Sequence, residues 1–261
     1  MTKTEKELAY LRGLYVDEAW TTKFTNIFDE SFDFGEKETF LYLNAGTGNH
    51  ALAVNQRIEG NSLLFAVCEN EDLQKIAQGK AVTLNVSLDF STSMPLGESE
   101  FVLGDASFVK SEDLEEFIDK MTKLSGGGIA FFLPTAGSFG EVFSYLWEVF
   151  VDLDIARKGT EIEKLISGVP QVSKIEDLLK ARKFKKINSS TKNEYLEFET
   201  GKDFVESPLV RFFLLPGWLE FLSENEKEQV VEKLAQKIDE ERDGLSFRCS
   251  IKATLVTARK S

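Results

Sequence analysis

Residues Asn44 to Gly48 read Asn-Ala-Gly-Thr-Gly, set between an apolar run at Phe40, Leu41 and Leu43 and a helical face at Ala51, Leu52 and Val54. Glycine lets a backbone approach a ligand closely, and a helix start offers unpaired N–H groups to anionic or polar atoms. A strand feeding a glycine turn and a helix therefore suits a nucleotide-like ligand, with Gly46 and Gly48 at the points of closest approach. Glu69 ends a second apolar run about twenty residues on, where a carboxylate can accept from paired hydroxyls. Asp105, after a later run, reads as a base, a metal ligand or an exposed loop carboxylate. His50 is the only histidine. It falls in the first turn of a helix, whose N-terminus disfavours imidazolium, and reads as a base, a cofactor-loop residue or a surface residue. One histidine and two separated cysteines do not make a metal cluster, so no metal is expected, and no catalytic residue is singled out.

The elements that must position these groups follow from apolar periodicity. Residues 5–30 repeat Leu8, Leu11, Leu14, Trp20, Phe24 and Ile27 at helical spacing. Strands are expected at Phe40–Leu43, Leu63–Cys68, Val82–Phe90, Phe101–Leu103 and Ile129–Leu133, with helices at 51–58 and 71–80. A further helix, capped by Ser111, ends near the Ser125-Gly126-Gly127-Gly128 turn. Strand and helix alternating at this pace imply βαβ units and a mainly parallel sheet, with ligands at the carboxyl ends of the strands. Beyond Pro134 the pattern gives helices at 139–155, 175–183, 201–213 and 217–242, and strands at 184–189, 194–198 and 246–257. No repeat or linker interrupts the chain, which reads as one domain with insertions.

Composition removes several function classes. The 261 residues carry a formal net charge of −13, and clustered Lys and Arg are what a nucleic-acid surface requires, so no nucleic acid is expected as partner. Two cysteines form no disulfide framework, the N-terminus lacks the apolar core of a signal peptide, and no run approaches membrane-span length. The expectation is a cytoplasmic protein that neither binds nor crosses a membrane; oligomeric state is not legible.

In order, these features resemble the class I S-adenosylmethionine-dependent methyltransferases over residues 38–135. Tyr42-Leu43-Asn44-Ala45-Gly46-Thr47-Gly48 stands at the family's first motif, and Cys68 with Glu69 at the acid ending the second strand. Asp89-Phe90 stands near the third strand, and Lys123-Leu124-Ser125-Gly126-Gly127-Gly128 before the fifth. The resemblance implies an α/β, Rossmann-like sheet with helices on both faces and an antiparallel C-terminal strand at 244–261. It also implies an N-terminal helical cap (1–37), a core (38–200) and a helical lid (201–243). The cofactor would be S-adenosylmethionine, held by Asn44, Ala45, Gly46, Gly48, Glu69, Asn70, Asp89, Phe90 and Asp105. Tyr15, Trp20 and Trp218 would line a pocket for a small-molecule methyl acceptor.

The departures are chemical. Tyr42 replaces an acid, Asn44 the first glycine, and Cys68 cannot accept from two hydroxyls as a carboxylate does. The family's signature for methylating exocyclic amines is absent, with Gly104-Asp105-Ala106-Ser107 in its place. The alternative reading is a binding or regulatory protein on the same fold with an eroded cofactor site. Gly46-x-Gly48-x-x-Ala51 with Glu69 also fits a nicotinamide-binding oxidoreductase, but no Tyr-x-x-x-Lys pair of the short-chain dehydrogenase kind is present.

Overall fold

The computed structural model describes residues 3–34, 39–58, 62–242 and 244–260. They fall into two compact units. The first holds Met1–Leu133, Val172–Lys192 and Ala253–Ser261, and the second Pro134–Gln171 and Asn193–Lys252.

The first unit opens with α1 (Glu5–Leu11), a π-helical segment (Arg12–Thr21) and α2 (Thr22–Ser31). Thr4 caps α1 through a reciprocal box with Glu7. Then follow β1 (Thr39–Leu43), α3 (Asn49–Arg57), β2 (Leu63–Val67), α4 (Glu71–Leu84), β3 (Phe90–Ser91), β4 (Ser99–Asp105), α5 (Leu114–Leu124) and β5 (Ser125–Pro134). After residues 134–171 comes α8 (Val172–Ala181), following α6 (Gly140–Asp152) and α7 (Gly159–Gly168) of the second unit. Next are β6 (Asn188–Phe198), α9 (Gly201–Glu206), a π turn at Val210–Leu214, α10 (Leu215–Trp218), α11 (Glu224–Arg242) and β7 (Phe247–Arg259).

The strands form one sheet in the order β3-β2-β1-β4-β5-β7-β6, parallel through the first five and antiparallel at β7 and β6. β1 is paired on both sides, Tyr42 with Ala66 of β2 and with Leu103 of β4. Such a strand is apolar on both faces. Leu41 and Leu43 join Val102, Ile129, Phe131 and the α5 and α8 residues Phe117, Ile118, Ile175 and Leu179 in one core. On the opposite face Phe40 and Phe101 lie with the rings of Phe32 and Phe34, while Phe24 stacks on Phe132 at 5.9 Å. Strand order reverses between β1 and β4, which opens a crevice at their carboxyl ends.

Several expected elements are corrected. Residues 82–84 continue α4 rather than starting a strand; the helix ends at Asn85, in left-handed conformation (φ 54°), and β3 holds only two residues. Val82 and Leu84 alternate with polar residues as strand residues do, yet both lie exposed at the end of the helix. α5 starts after Asp113, so Ser111 is not its N-cap. The glycine run 126–128 is the first part of β5, because a Cβ at Gly127 would lie 2.8 Å from the Glu100 carbonyl oxygen. The two strands expected at 184–198 are one, β6. α7 was not anticipated.

Gly104 of β4 shows how closely α5 packs: a Cβ there would lie 2.8 Å from Phe117 Cζ and 3.2 Å from Met121 Cε. Gly104→Ala should lower stability by about 1–3 kcal/mol through overpacking, measured as a shift in denaturation midpoint at unchanged slope.

Candidate functional site

The carboxyl ends of β1, β2 and β4 meet around the glycine turn. Ala45 N–H donates to the Val67 carbonyl at 2.9 Å, extending the β1–β2 pairing by one residue. Asn44 takes up positive φ (54°), which Asn tolerates, and its Nδ2 donates to the Asp105 carbonyl at 3.1 Å. Gly46 and Gly48 follow with φ of 58° and 86°. At Gly48 a Cβ would lie 2.8 Å from both Ala77 Cβ and Phe90 Cζ, so that position needs glycine for space as well as for conformation. Gly46 N–H donates to Glu69 Oε2 at 3.0 Å.

The N-terminal π segment closes on this turn. Arg12, 8% exposed, donates from Nη1 to Glu69 Oε1 at 2.5 Å, and its Nη2 lies 3.5 Å from Asp105 Oδ2. Its guanidinium carbon sits 5.2 Å from the Phe108 ring centre. A Cβ built on Gly46 would lie 2.7 Å from Arg12 Nη2, so the guanidinium occupies the space directly over the turn. Five residues on, Asp17 is 7% exposed and accepts from Thr47 Oγ1, from Asn49 Nδ2 at 2.9 Å and from Lys80 Nζ at 3.4 Å. Lys80 also donates to Thr47 Oγ1 and Asn49 Oδ1, at 2.6 and 2.7 Å.

The π geometry explains how both side chains reach the turn. Residues five apart on an α-helix are displaced by about 140°, whereas i→i+5 bonding nearly stacks them. Thr22 N–H bonds back to the Asp17 carbonyl, five residues earlier. Gly13 leaves the segment close to the turn, with Thr47 Cγ2 3.6 Å from where its Cβ would be.

Beneath the turn lies Tyr42, near the end of β1. Its buried hydroxyl is 2.7 Å from His50 Nδ1, and His50 Nε2 is 3.3 Å from Asp29 Oδ1, which Arg57 also holds. Burial pushes the His50 pKa down despite Asp29 and pushes the Tyr42 phenol up. A neutral imidazole carrying its proton on Nε2 satisfies both neighbours. His50 is therefore a buried structural link and not a surface residue.

The structure brings Asn44, Ala45, Gly46, Gly48, Glu69, Phe90 and Asp105 together. Asn70 caps α4, its side chain accepting from Leu73 N–H at 2.9 Å, and Asp89 is exposed beside the buried Phe90. Cys68, with its thiol pushed up to about 12 by burial, donates its backbone N–H to the Ser91 carbonyl. Trp20 is fully buried against Phe24 and Phe108, and Tyr15 is half exposed. Trp218 belongs to the second unit, where it packs on Phe139 and Phe143. Arg12, Asp17 and Lys80 were not singled out from sequence. The signal for Arg12 was a cation four residues from both Leu8 and Val16, inside an apolar stripe. Among the described residues, no group of three or more His, Cys, Asp or Glu is placed to hold a metal, and no helix is long and apolar enough to cross a membrane.

Asp105 is the most perturbed carboxyl of the cluster. Burial raises it from 3.8 to about 6, against the lowering effect of Arg12 and of the Ser107 N–H bond at 2.7 Å. A carboxyl whose folded pKa exceeds its unfolded one stabilises the fold below the unfolded value and loses that contribution as pH rises through the folded one. Wild type should therefore gain stability relative to Asp105→Asn by roughly 1–3 kcal/mol as pH falls from 6 to 4, read from paired denaturation curves.

No family model matches the chain, and a search of curated proteins gave no match. Solved structures do resemble it. The YcgJ protein of Bacillus subtilis aligns at TM-score 0.54 and 12% identity, over 90% of this chain and 97% of its own. Phosphoethanolamine N-methyltransferase 2 of Haemonchus contortus, in complex with phosphomonomethylethanolamine and S-adenosylhomocysteine, aligns at 0.54 and 12%, over 98% of this chain and 57% of its own. Geranyl diphosphate C-methyltransferase of Streptomyces coelicolor, in complex with Mg2+, geranyl diphosphate and S-adenosylhomocysteine, aligns at 0.50 and 10%, over 92% and 79%. With the strand order and the glycine turn at its switch point, these likenesses establish that the chain has the fold of the class I S-adenosylmethionine-dependent methyltransferases.

Proposed function

We propose that the protein binds S-adenosylmethionine at the Asn44–Gly48 turn and transfers its methyl group to a small molecule. The observation that carries this reading is the left-handed turn at the β1–β4 switch point, with Glu69 bonded to Gly46 N–H. Two of the neighbouring structures were solved with S-adenosylhomocysteine, and both belong to methyltransferases of small molecules.

The residues present fit the cofactor in type. Gly46 and Gly48 give the close approach, Glu69 is the carboxylate for the ribose hydroxyls in place of Cys68, and Phe90 offers an apolar flank beside the turn. Asn70, Ala45, Asp89 and Asp105 complete the proposed set. When bound, the sulfonium supplies an already activated methyl group. The chain then has to orient two reactants and exclude water. The apolar rings of Trp20, Phe24 and Phe108 beside Arg12 supply a dry environment in the first unit. Asp105, raised towards neutrality, can hold or release a proton near the switch point.

A second reading is favoured by one specific observation: Glu69 is already satisfied by Gly46 and Arg12, with the guanidinium over the turn. A chain whose corner is permanently closed this way would be a non-catalytic binding or regulatory protein.

Calorimetric titration with S-adenosylmethionine, S-adenosylhomocysteine and NADH separates the readings. The expected outcome is binding of both sulfur nucleotides in the micromolar range, lost in Gly46→Trp, with no NADH binding. Absence of sulfur-nucleotide binding to wild type, and to variants relieved of Arg12, would establish the non-catalytic alternative.

A further inference from the structure

We infer that Arg12 is an internal plug: its guanidinium stands in the cofactor's place over Gly46, and the π segment Arg12–Thr21 is the strap that holds it there until a ligand displaces it. The inference rests on the S-adenosylmethionine-binding reading for the identity of the ligand, but its structural half stands on this chain alone.

Three observations carry it. The guanidinium is hydrogen-bonded to Glu69 and ion-paired with Asp105 at 3.5 Å, and it approaches Gly46 so closely that even a methyl group on that residue would meet it. A ligand resting on the turn therefore cannot share the position with Arg12. Second, the plug is not fully bonded: buried Arg12 Nε lacks a partner. A buried cation that leaves one of its own donors unsatisfied is held less firmly than one with a complete shell. Third, the strap is wound as a π-helix, and that winding is what lets Arg12 and Asp17 face the turn together. If Arg12 leaves, the reason for the wide turn leaves with it, and the segment can return to α-helical bonding while Asp17 keeps Thr47, Asn49 and Lys80.

The device makes ligand affinity depend on how often the plug is open, because apparent affinity falls by the fraction of molecules in the competent state. It also selects the kind of ligand. Removing Arg12 exposes the Glu69 and Asp105 carboxylates, so an entrant carrying hydroxyls and its own positive charge compensates them better than an anionic nucleotide does.

The test compares wild type with Arg12→Gln and Arg12→Lys, using S-adenosylhomocysteine as the titrant and amide hydrogen exchange of residues 12–22 as the second readout. Folding of each variant is checked by circular dichroism. Arg12→Gln should bind about tenfold or more tightly than wild type, with Arg12→Lys between them. Without ligand, exchange across 12–22 should be faster in Arg12→Gln than in wild type, while exchange in β1 and β4 stays unchanged. Weaker binding by Arg12→Gln would overturn the plug and make Arg12 a ligand contact. Equal binding with equal exchange would also overturn it. Binding to neither protein would defeat the S-adenosylmethionine reading, and the exchange comparison would then still decide whether Arg12 holds the strap. A variant that does not fold is replaced by Asp17→Asn, which loosens the same strap from its other grip and should likewise tighten binding; unchanged or weaker binding would again sink the idea.

Discussion

A guanidinium buried over the glycine turn sets the terms for everything around it. Taking Arg12 out of water costs several kcal/mol, and this is tolerable only if carboxylates lie on the right sides. Glu69 and Asp105 supply them from the ends of β2 and β4. Those two strands flank β1 and pair with it residue by residue. The position of the N-terminal helix is thus dictated by strand order in the sheet. The two carboxylates hold the guanidinium's pKa up against desolvation, and its positive charge in return moderates the rise at Asp105. Neither the strap nor the acidic corner is comprehensible without the other.

Below the turn the same logic is met by different chemistry. Tyr42 leaves no bare polar group: its hydroxyl, His50, Asp29 and Arg57 form a continuous chain from the core to the surface. A carboxylate there would require a donor from above. A phenol needs only a neutral acceptor, and burial keeps His50 neutral. The result is a coherent polar network, and no carboxylate of residue 42 adds negative charge beneath a turn that already faces Glu69 and Asp105. This network is consistent with a turn whose geometry is maintained, since His50 and Leu52 both lie in the helix that Gly48 begins.

What was legible in the sequence was what depends on local pattern. β1, the glycine turn, β2 and the start of α4 follow from apolar runs punctuated by small residues, and the expected boundaries fall within a residue or two. The third strand was misread because Val82 and Leu84 look like strand residues while the chain treats them as the exposed end of a helix. The Gly126–Gly128 run was read as a turn, yet these glycines serve strand packing against the Glu100 backbone and the Phe101 ring. At the turn, the proximity of the glycines and Glu69 could be read because motif spacing fixes it. Arg12 could not be paired, because its partners lie 57 and 93 positions away and only the assembled sheet brings them near. The π winding was equally hidden: the apolar spacing of residues 12–21 is that of any helix, and the i→i+5 bonds follow from where Arg12 and Asp17 must point.

Charge gives the corner a selectivity that space alone does not. Glu69, Asp105 and Asp17 face Arg12 and Lys80, and Lys80 is committed to Asp17, Thr47 and Asn49. Arg12 is accordingly the cation that neutralises the Glu69–Asp105 pair. An occupant of its place must either bring positive charge or leave Asp105 to take up a proton, because the Arg12 charge that lowers the buried carboxyl's pKa is then gone. Glu69, partly exposed at 27%, retains water as an alternative partner, whereas Asp105 at 5% does not. The buried carboxyl at the end of β4 is therefore the member of the cluster whose protonation depends most on Arg12, whose charge lowers its pKa against burial.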